Sequence, residues 1–126
     1  MLHHIDVHVR DLAAARAFFD TLAPHIGYRP LALDPDFAGY EPASGGRPRF
    51  GLILDPGHRS GSMRMAFAVA TIAEVDAAAE AARAAGARAL EGPGSHPEYG
   101  NYYAVFFEDP DGNKYEITRD AAASIS

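Results

Sequence analysis

The sequence predicts an α+β fold built from two βαβββ modules in tandem. The order strand, helix and three strands occurs twice, and a shift of about sixty residues places residues 4–9 over residues 64–69 and Gly27 near Gly86. Neither half alone has enough sheet to bury its helix and enclose a core. We therefore expect the halves to form one curved mixed sheet around a cup-shaped cavity, with the helices on the outside.

Module 1 is expected over about residues 2–55 and opens with a two-faced strand. Apolar and polar residues alternate over residues 2–9, with His4, Asp6 and His8 on one side. Asp11 is placed to cap a helix over residues 12–22, which Pro24 and Gly27 terminate. Three short strands joined by turns then follow, at residues 28–33, 37–41 and 49–54.

Module 2 is expected over about residues 63–119, after a polar, turn-rich linker at residues 55–62. A strand at residues 64–69 precedes Thr71 and Glu74, which have the spacing of a capping box, and an alanine-rich helix over residues 75–85. The last three strands are predicted at residues 87–90, 102–108 and 113–118, with a type I turn at residues 109–112 joining the final pair.

The amino-acid composition excludes several classes of function. The 126 residues are 48% hydrophobic and 22% charged, as expected of one globular domain over residues 1–126. The absence of cysteine excludes thiol catalysis and sites with cysteine ligands. Seventeen acidic and eleven basic residues give a net charge of -6, and the basic residues form no cluster, so nucleic acid is not an expected partner.

The expected location is the cytoplasm. There is no run of eighteen apolar residues, and His3, His4 and Asp6 stand where a secretion signal has a basic start and an apolar stretch. We therefore expect no membrane partner.

The two-module pattern and two sequence motifs resemble the vicinal oxygen chelate superfamily. The motifs are the opening Leu-His-His-Ile-Asp-Val-His-Val-Arg-Asp-Leu and the closing Asp-Pro-Asp-Gly-Asn-Lys-Tyr-Glu-Ile, and the resemblance extends over residues 2–118. This superfamily includes glyoxalase I, bleomycin-resistance proteins, fosfomycin-resistance enzymes and extradiol dioxygenases. The resemblance implies the glyoxalase/bleomycin resistance/dihydroxybiphenyl dioxygenase fold and a small-molecule cavity.

The resemblance also implies where a divalent metal would bind in the metal-using members. Two of the four implied ligand positions hold a metal-binding side chain, His4 and Glu116. The third position holds Arg64, a cation with no lone pair to donate, and the fourth falls at residues 50–52, where no side chain binds metal. Two ligands make a poor site, so we expect no metal cofactor unless Asp6, His8 or His96 supplies the missing ligands.

Arg64 suggests a different use of the same cup. We expect its guanidinium to hydrogen-bond to the Glu116 carboxylate, with His4 beside them. Asp6 and His8 would also line the cavity. Such a cup suits a small anionic or carbonyl-bearing molecule.

Tyr103 is the remaining candidate substrate-binding residue. It belongs to an aromatic cluster with Tyr99 and Tyr102, whose rings would either wall the cavity or cover the edge of the core.

Two functional hypotheses follow. The first is a metal-independent protein, either a binder or an enzyme that uses His4 and Glu116 as acid–base groups. The alternative is a lyase, isomerase or dioxygenase of the glyoxalase I type, in which Zn, Ni, Mn or Fe held by His4 and Glu116 polarises the substrate. The reaction itself is not assigned by the sequence. We also expect a homodimer, in which modules pair either within one chain or between chains.

Overall fold

The computed structural model describes residues 1–119. Its eight strands and two helices confirm the predicted α+β fold with tandem βαβββ modules. Module 1 contains β1 (His4–Val9), α1 (Leu12–Leu22), β2 (Tyr28–Asp34), β3 (Phe37–Pro42) and β4 (Arg49–Leu54). Module 2 contains β5 (Arg64–Val69), α2 (Ile72–Ala84), β6 (Arg88–His96), β7 (Tyr102–Glu108) and β8 (Lys114–Arg119). Short 3-10 turns follow α1 (Ala23–Ile26) and β6 (Pro97–Tyr99).

Each module forms its own four-stranded mixed sheet. The strand orders are β1-β4-β3-β2 and β5-β8-β7-β6, with the first pair of each sheet parallel and the others antiparallel. In β1 and β4, Asp6 lies opposite Gly51, and in β5 and β8, Ala66 lies opposite Glu116. The same register in both modules makes Gly51 the counterpart of Glu116.

Side-chain caps begin both helices. The Asp11 side chain accepts a hydrogen bond from the Ala14 amide at 3.0 Å. In module 2 the Thr71 hydroxyl oxygen accepts one from the Glu74 amide at 3.1 Å, and the Glu74 carboxylate accepts one from the Ala70 amide at 3.2 Å. The capping box thus starts α2 at Ile72, three residues before the predicted helix start.

One hydrophobic core contains the apolar sides of both helices and of both sheets. Phe19 of α1 is fully buried, and its ring centroid lies 5.2 Å from that of Phe50 in the first sheet and 5.3 Å from that of Tyr115 in the second. Within one chain the helix-covered sides of the two sheets therefore share this core. The opposite side of each sheet, called here its outer face, points away from the core.

The modules are held together at the end of β1. The Arg10 guanidinium donates to the Asp111 carboxylate at 2.6 Å, and the Asn113 side-chain amide donates to the His8 carbonyl at 3.0 Å. Asp109 is fully buried in the turn before β8, where its carboxylate accepts hydrogen bonds from the Asp111 amide and the Tyr115 hydroxyl. These contacts give the 109–112 turn a structural role.

Neither helix within residues 1–119 has the length and apolar character needed to cross a membrane.

Candidate functional site

Glu116 lies at the centre of the outer face of the second sheet. It is only 8% exposed, and its Oε2 atom is buried with no hydrogen-bond partner in the described part of the chain. Burial raises the pKa of this carboxyl, and the positive charges of Arg64 and His96 offset part of the rise. A buried acceptor without a partner is costly for the fold, and a ligand could provide the missing hydrogen bond.

Arg64 and His96 lie beside Glu116 around the ring of Phe106. The Arg64 guanidinium carbon lies 4.9 Å from the Phe106 ring centroid, and the His96 ring meets the Phe106 ring edge-to-face at 5.5 Å. No ion pair within 4 Å joins Arg64 to Glu116 among residues 1–119. The expectation of a direct hydrogen bond between them was therefore wrong. The guanidinium stacks on the aromatic ring instead, where the π-electrons attract it.

His4 belongs to a different surface, the outer face of the first sheet. Its Nδ1 atom lies 2.8 Å from that of His3, and its Nε2 atom lies 3.7 Å from the Asp6 carboxylate. The charges that act on Glu116 are Arg64 and His96, and His4 is not among them. The expected placement of His4 beside Arg64 and Glu116 is thus not realised within one chain.

A groove of about 310 Å³ runs along this first outer face, and we call it the module 1 groove. His3, His4 and Arg49 lie at one end of its lining, and Phe37, Gly39 and Gly51 form its middle. A Cβ atom added at Gly51 would lie 2.6 Å from the Phe37 ring and 3.0 Å from an Asp6 carboxylate oxygen. The Phe37 ring therefore occupies the space where a longer side chain at position 51 would stand.

Two of the four implied metal-ligand positions lack a metal-binding side chain. Of the four implied positions, Arg64 is a cation and Gly51 has no side chain, while His4 and Glu116 lie on separate sheets. Residues 1–119 contain no group of three or more His, Asp or Glu side chains arranged to hold a metal. Metal binding would need at least one more donor than this arrangement supplies.

Of the candidate substrate-binding residues, Asp6 lines the module 1 groove, whereas His8 lies at the junction of the modules. The His8 imidazole is hydrogen-bonded to the Asp55 carboxylate at 2.9 Å, and this bond lowers the pKa of Asp55. His8 also lines a second cavity of about 170 Å³ together with His58 and Lys114.

Tyr103 lies on the helix-covered side of the second sheet. Its hydroxyl donates to the Asp76 carboxylate of α2 at 2.6 Å, and its ring packs on the core. Side chains alternate along β7, so Phe106 shares the outer face with Glu116, and Tyr103 cannot. Of the two roles expected for Tyr103, these contacts fit cover of the core edge rather than a wall of the cavity.

Sequence reasoning missed the contributions of Phe37, Arg49 and Phe106 and treated His96 only as a replacement metal ligand. The β7–β8 register, with Phe106 opposite Glu116, would have identified Phe106. His96 was harder to place, because β6 continues past its predicted end at residue 90 through two irregularities, at Arg88/Glu91 and Glu91/Gly94. Those irregularities accommodate a Gly-Pro-Gly stretch at residues 92–94 that is unlike an ordinary strand.

Comparison with known proteins agrees with this fold. Residues 1–117 match the model of the Glyoxalase/Bleomycin resistance protein/Dioxygenase superfamily, and the chain belongs to that superfamily. It is 32% identical to the Bacillus subtilis (strain 168) protein YqjT, whose function is uncharacterized, over 92% of this chain and 96% of that one.

The fold is also found in solved structures. A glyoxalase/bleomycin resistance protein from Albidiferax ferrireducens T118 is 26% identical and superposes with a TM-score of 0.79, covering 94% of this chain and 98% of that chain. The fosfomycin resistance protein FosX of Listeria monocytogenes has a TM-score of 0.74 at 18% identity, over 94% of this chain and 92% of that chain. At that identity the likeness to FosX concerns the fold alone.

Proposed function

We propose that this superfamily member binds a small anionic or carbonyl-bearing molecule without a complete metal site. The observation that carries the proposal is the buried Glu116 Oε2 atom, which has no hydrogen-bond partner within residues 1–119 and lies near the cationic Arg64. A carbonyl or carboxylate oxygen of the ligand would accept from Arg64. Protonated Glu116 would donate to the ligand, whereas ionised Glu116 would accept from a ligand hydroxyl.

The raised pKa of Glu116 also supports proton transfer. A carboxyl whose pKa lies above its ordinary value is a better acid–base group near neutral pH than an exposed glutamate. In an enzymatic version of this proposal, Glu116 and His4 exchange a proton with the bound molecule from opposite sides. Arg64 then stabilises negative charge that develops on an oxygen of the bound molecule, which is the role that a metal ion has in metal-using enzymes.

We propose further that a homodimer completes the site. Within one chain His4 and Glu116 lie on the outer faces of different sheets, and both faces point away from the shared core. Module 1 of one copy placed against module 2 of its partner would bring His4 opposite Arg64 and Glu116 and enclose a cup. Light scattering at micromolar concentration should give twice the chain mass of 13.5 kDa. A mass of one chain would exclude this completion of the site.

Calorimetry with pyruvate tests the ligand chemistry, because pyruvate has both a carboxylate and a carbonyl group. Arg64→Gln should weaken its binding by about tenfold or more through the loss of a charged hydrogen bond. Arg83→Gln is the matched control, since Arg83 is exposed on α2, and it should leave the Kd unchanged. Equal Kd values for both variants and the unmodified protein would contradict the proposal.

The metal content separates this proposal from the glyoxalase I-type alternative. Protein incubated with excess zinc, nickel, manganese or iron(II) and then desalted should retain well under one ion per chain. One ion per chain, lost in both His4→Ala and Glu116→Gln, would instead establish a metal-dependent site.

A further inference from the structure

The module 1 groove combines an aromatic ring, Phe37, with a cationic end. Gly39 and Gly51 face each other on β3 and β4, and the Phe37 ring lies across both. A Cβ atom at Gly39 would be 3.0 Å from the ring, and one at Gly51 would be 2.6 Å away. The two glycines thus leave room for the ring to lie close against the sheet, with the rest of the groove beside it.

The rim of the groove is apolar next to Phe37. Leu31 and Ile53 line it there, and Leu31 is 45% exposed although it is large and hydrophobic. An exposed leucine beside a partly buried aromatic ring favours an apolar ligand body over a fully polar one.

The opposite end of the groove requires an acceptor. The Nε atom of Arg49 is buried and has no hydrogen-bond partner among residues 1–119, and the residue Arg49 lines the groove together with His3 and His4. The positive charges of Arg47 and Arg49 lower the pKa of His3, so the potential at this end is positive. An anionic group placed there would both satisfy the Arg49 donor and meet a favourable charge.

We infer that the ligand of this protein is a planar aromatic acid, whose ring stacks on Phe37 while its acidic group binds Arg49. This inference rests on the proposed function and narrows its ligand class from small anionic or carbonyl molecules in general to aromatic ones. The ring prefers Phe37 because aromatic rings gain from offset stacking beyond the area that they bury.

Three oxo acids with the same polar head test the inference by calorimetry. Each compound has a carboxylate next to a carbonyl group. The carbonyl carbon bears a methyl group in pyruvate, a puckered cyclohexyl ring in cyclohexylglyoxylate and a flat phenyl ring in benzoylformate. Benzoylformate should bind about threefold to tenfold more tightly than cyclohexylglyoxylate, which matches it in size but cannot stack. Pyruvate should be the weakest of the three.

Two variants at position 37 locate the effect. Phe37→Leu should abolish the preference for phenyl over cyclohexyl, whereas Phe37→Tyr retains a ring and should keep the preference. Thermal unfolding of both variants monitors folding. A phenyl preference that persists in folded Phe37→Leu would overturn the inference.

The charge at the other end is tested separately. Arg49→Gln should weaken benzoylformate binding by about tenfold and leave binding of its neutral methyl ester unchanged. An equal loss for acid and ester, or no loss for either, would contradict the role of Arg49.

The outcomes distinguish this inference from the proposed function. If all three oxo acids bind with similar Kd values and binding still depends on Arg64, the aromatic ligand class is wrong and the proposed function stands. If none of the three binds, both fail.

Discussion

The two modules share one backbone plan but present different chemistry on their outer faces. The register places His4 of module 1 at the position that Arg64 has in module 2, and Gly51 at the position of Glu116. Module 1 thus has a groove with an aromatic ring, whereas module 2 has a buried carboxyl beside Arg64 and His96. A duplicated fold can thus present two different surfaces, one with an aromatic ring and Arg49 and the other with a buried carboxyl and Arg64.

The helices differ in the same way. Most buried residues of α1 are large, among them Phe18 and Phe19, while α2 buries three alanines beside Val75, namely Ala78, Ala79 and Ala82. Small residues on α2 let it lie close to its neighbours, and the large rings of α1 fill the space between the sheets. The core should therefore be destabilised by smaller side chains on the buried face of α1 and by larger side chains on the buried face of α2.

The largest expected effect is at this core. Phe19→Ala should lower the free energy of unfolding by about 3–5 kcal/mol because it leaves a cavity between both sheets. Ala79→Leu should lower it by about 1–3 kcal/mol for the opposite reason, because no space is open for the added atoms. Denaturant unfolding measures both, with exposed Ala77→Leu as the control. If Ala79→Leu were as mild as Ala77→Leu, the close packing of α2 would be refuted.

The next effect concerns Gly51, which has the position in module 1 that Glu116 has in module 2. Gly51→Ala should destabilise the protein by about 1–3 kcal/mol because its Cβ would meet the Phe37 ring at 2.6 Å. Gly61→Ala is the control, since nothing lies within 4 Å of a Cβ atom there. Adding Phe37→Ala should make the Gly51→Ala loss smaller, and strictly additive losses would show that the ring does not cause it.

The smallest effect is the pH dependence arising from Glu116. Its pKa in the folded protein is raised by burial above 4.5, so the folded state binds its proton more tightly than the unfolded state. The free energy of unfolding should therefore fall as pH rises from the ordinary glutamate value through the raised one. Glu116→Gln should remove this contribution and make the protein about 1 kcal/mol more stable at neutral pH.

Urea unfolding at several pH values between about pH 4 and pH 8 measures this contribution. Asp109 also has a pKa raised by burial, but it is present in both proteins, so their difference isolates Glu116. An identical pH profile for the two proteins would mean that Glu116 titrates as an exposed glutamate does.

Local signals were sufficient for most of the fold. Alternating polarity predicted β1, and the sixty-residue repeat placed the strand β5 over it. The cap at Asp11 predicted where α1 begins, whereas α2 begins three residues before its predicted start. The repeated order of elements predicted the two modules. These features depend on residues close together in the chain. The side chains of a strand or a helix alternate between buried and exposed sides with a fixed period, which can be read from the sequence. The Gly-Pro-Gly stretch of β6 lacks such a period, and for that reason its strand was predicted too short.

The composition of the site was partly predictable as well. Glu116 and Arg64 were expected on neighbouring strands, and the structure places them on β8 and β5, which pair in parallel. The stacking of Arg64 on Phe106 was not predictable from the sequence. A cation–π contact with the ring and an ion pair with the Glu116 carboxylate have similar energies, and the guanidinium can form either.

By itself, the sequence determined the two modules, their caps and the loss of two of the four metal-ligand positions, since each of these follows from residue identity and spacing. Tertiary structure alone decided that the helix sides of both sheets share one core and that His4 and Glu116 lie on the outer faces of different sheets within a chain. The physical reason is that packing between the modules depends on the shapes of both surfaces at once. Phe19 packs against rings of both sheets, Phe50 and Tyr115, and no local period in the sequence encodes that fit.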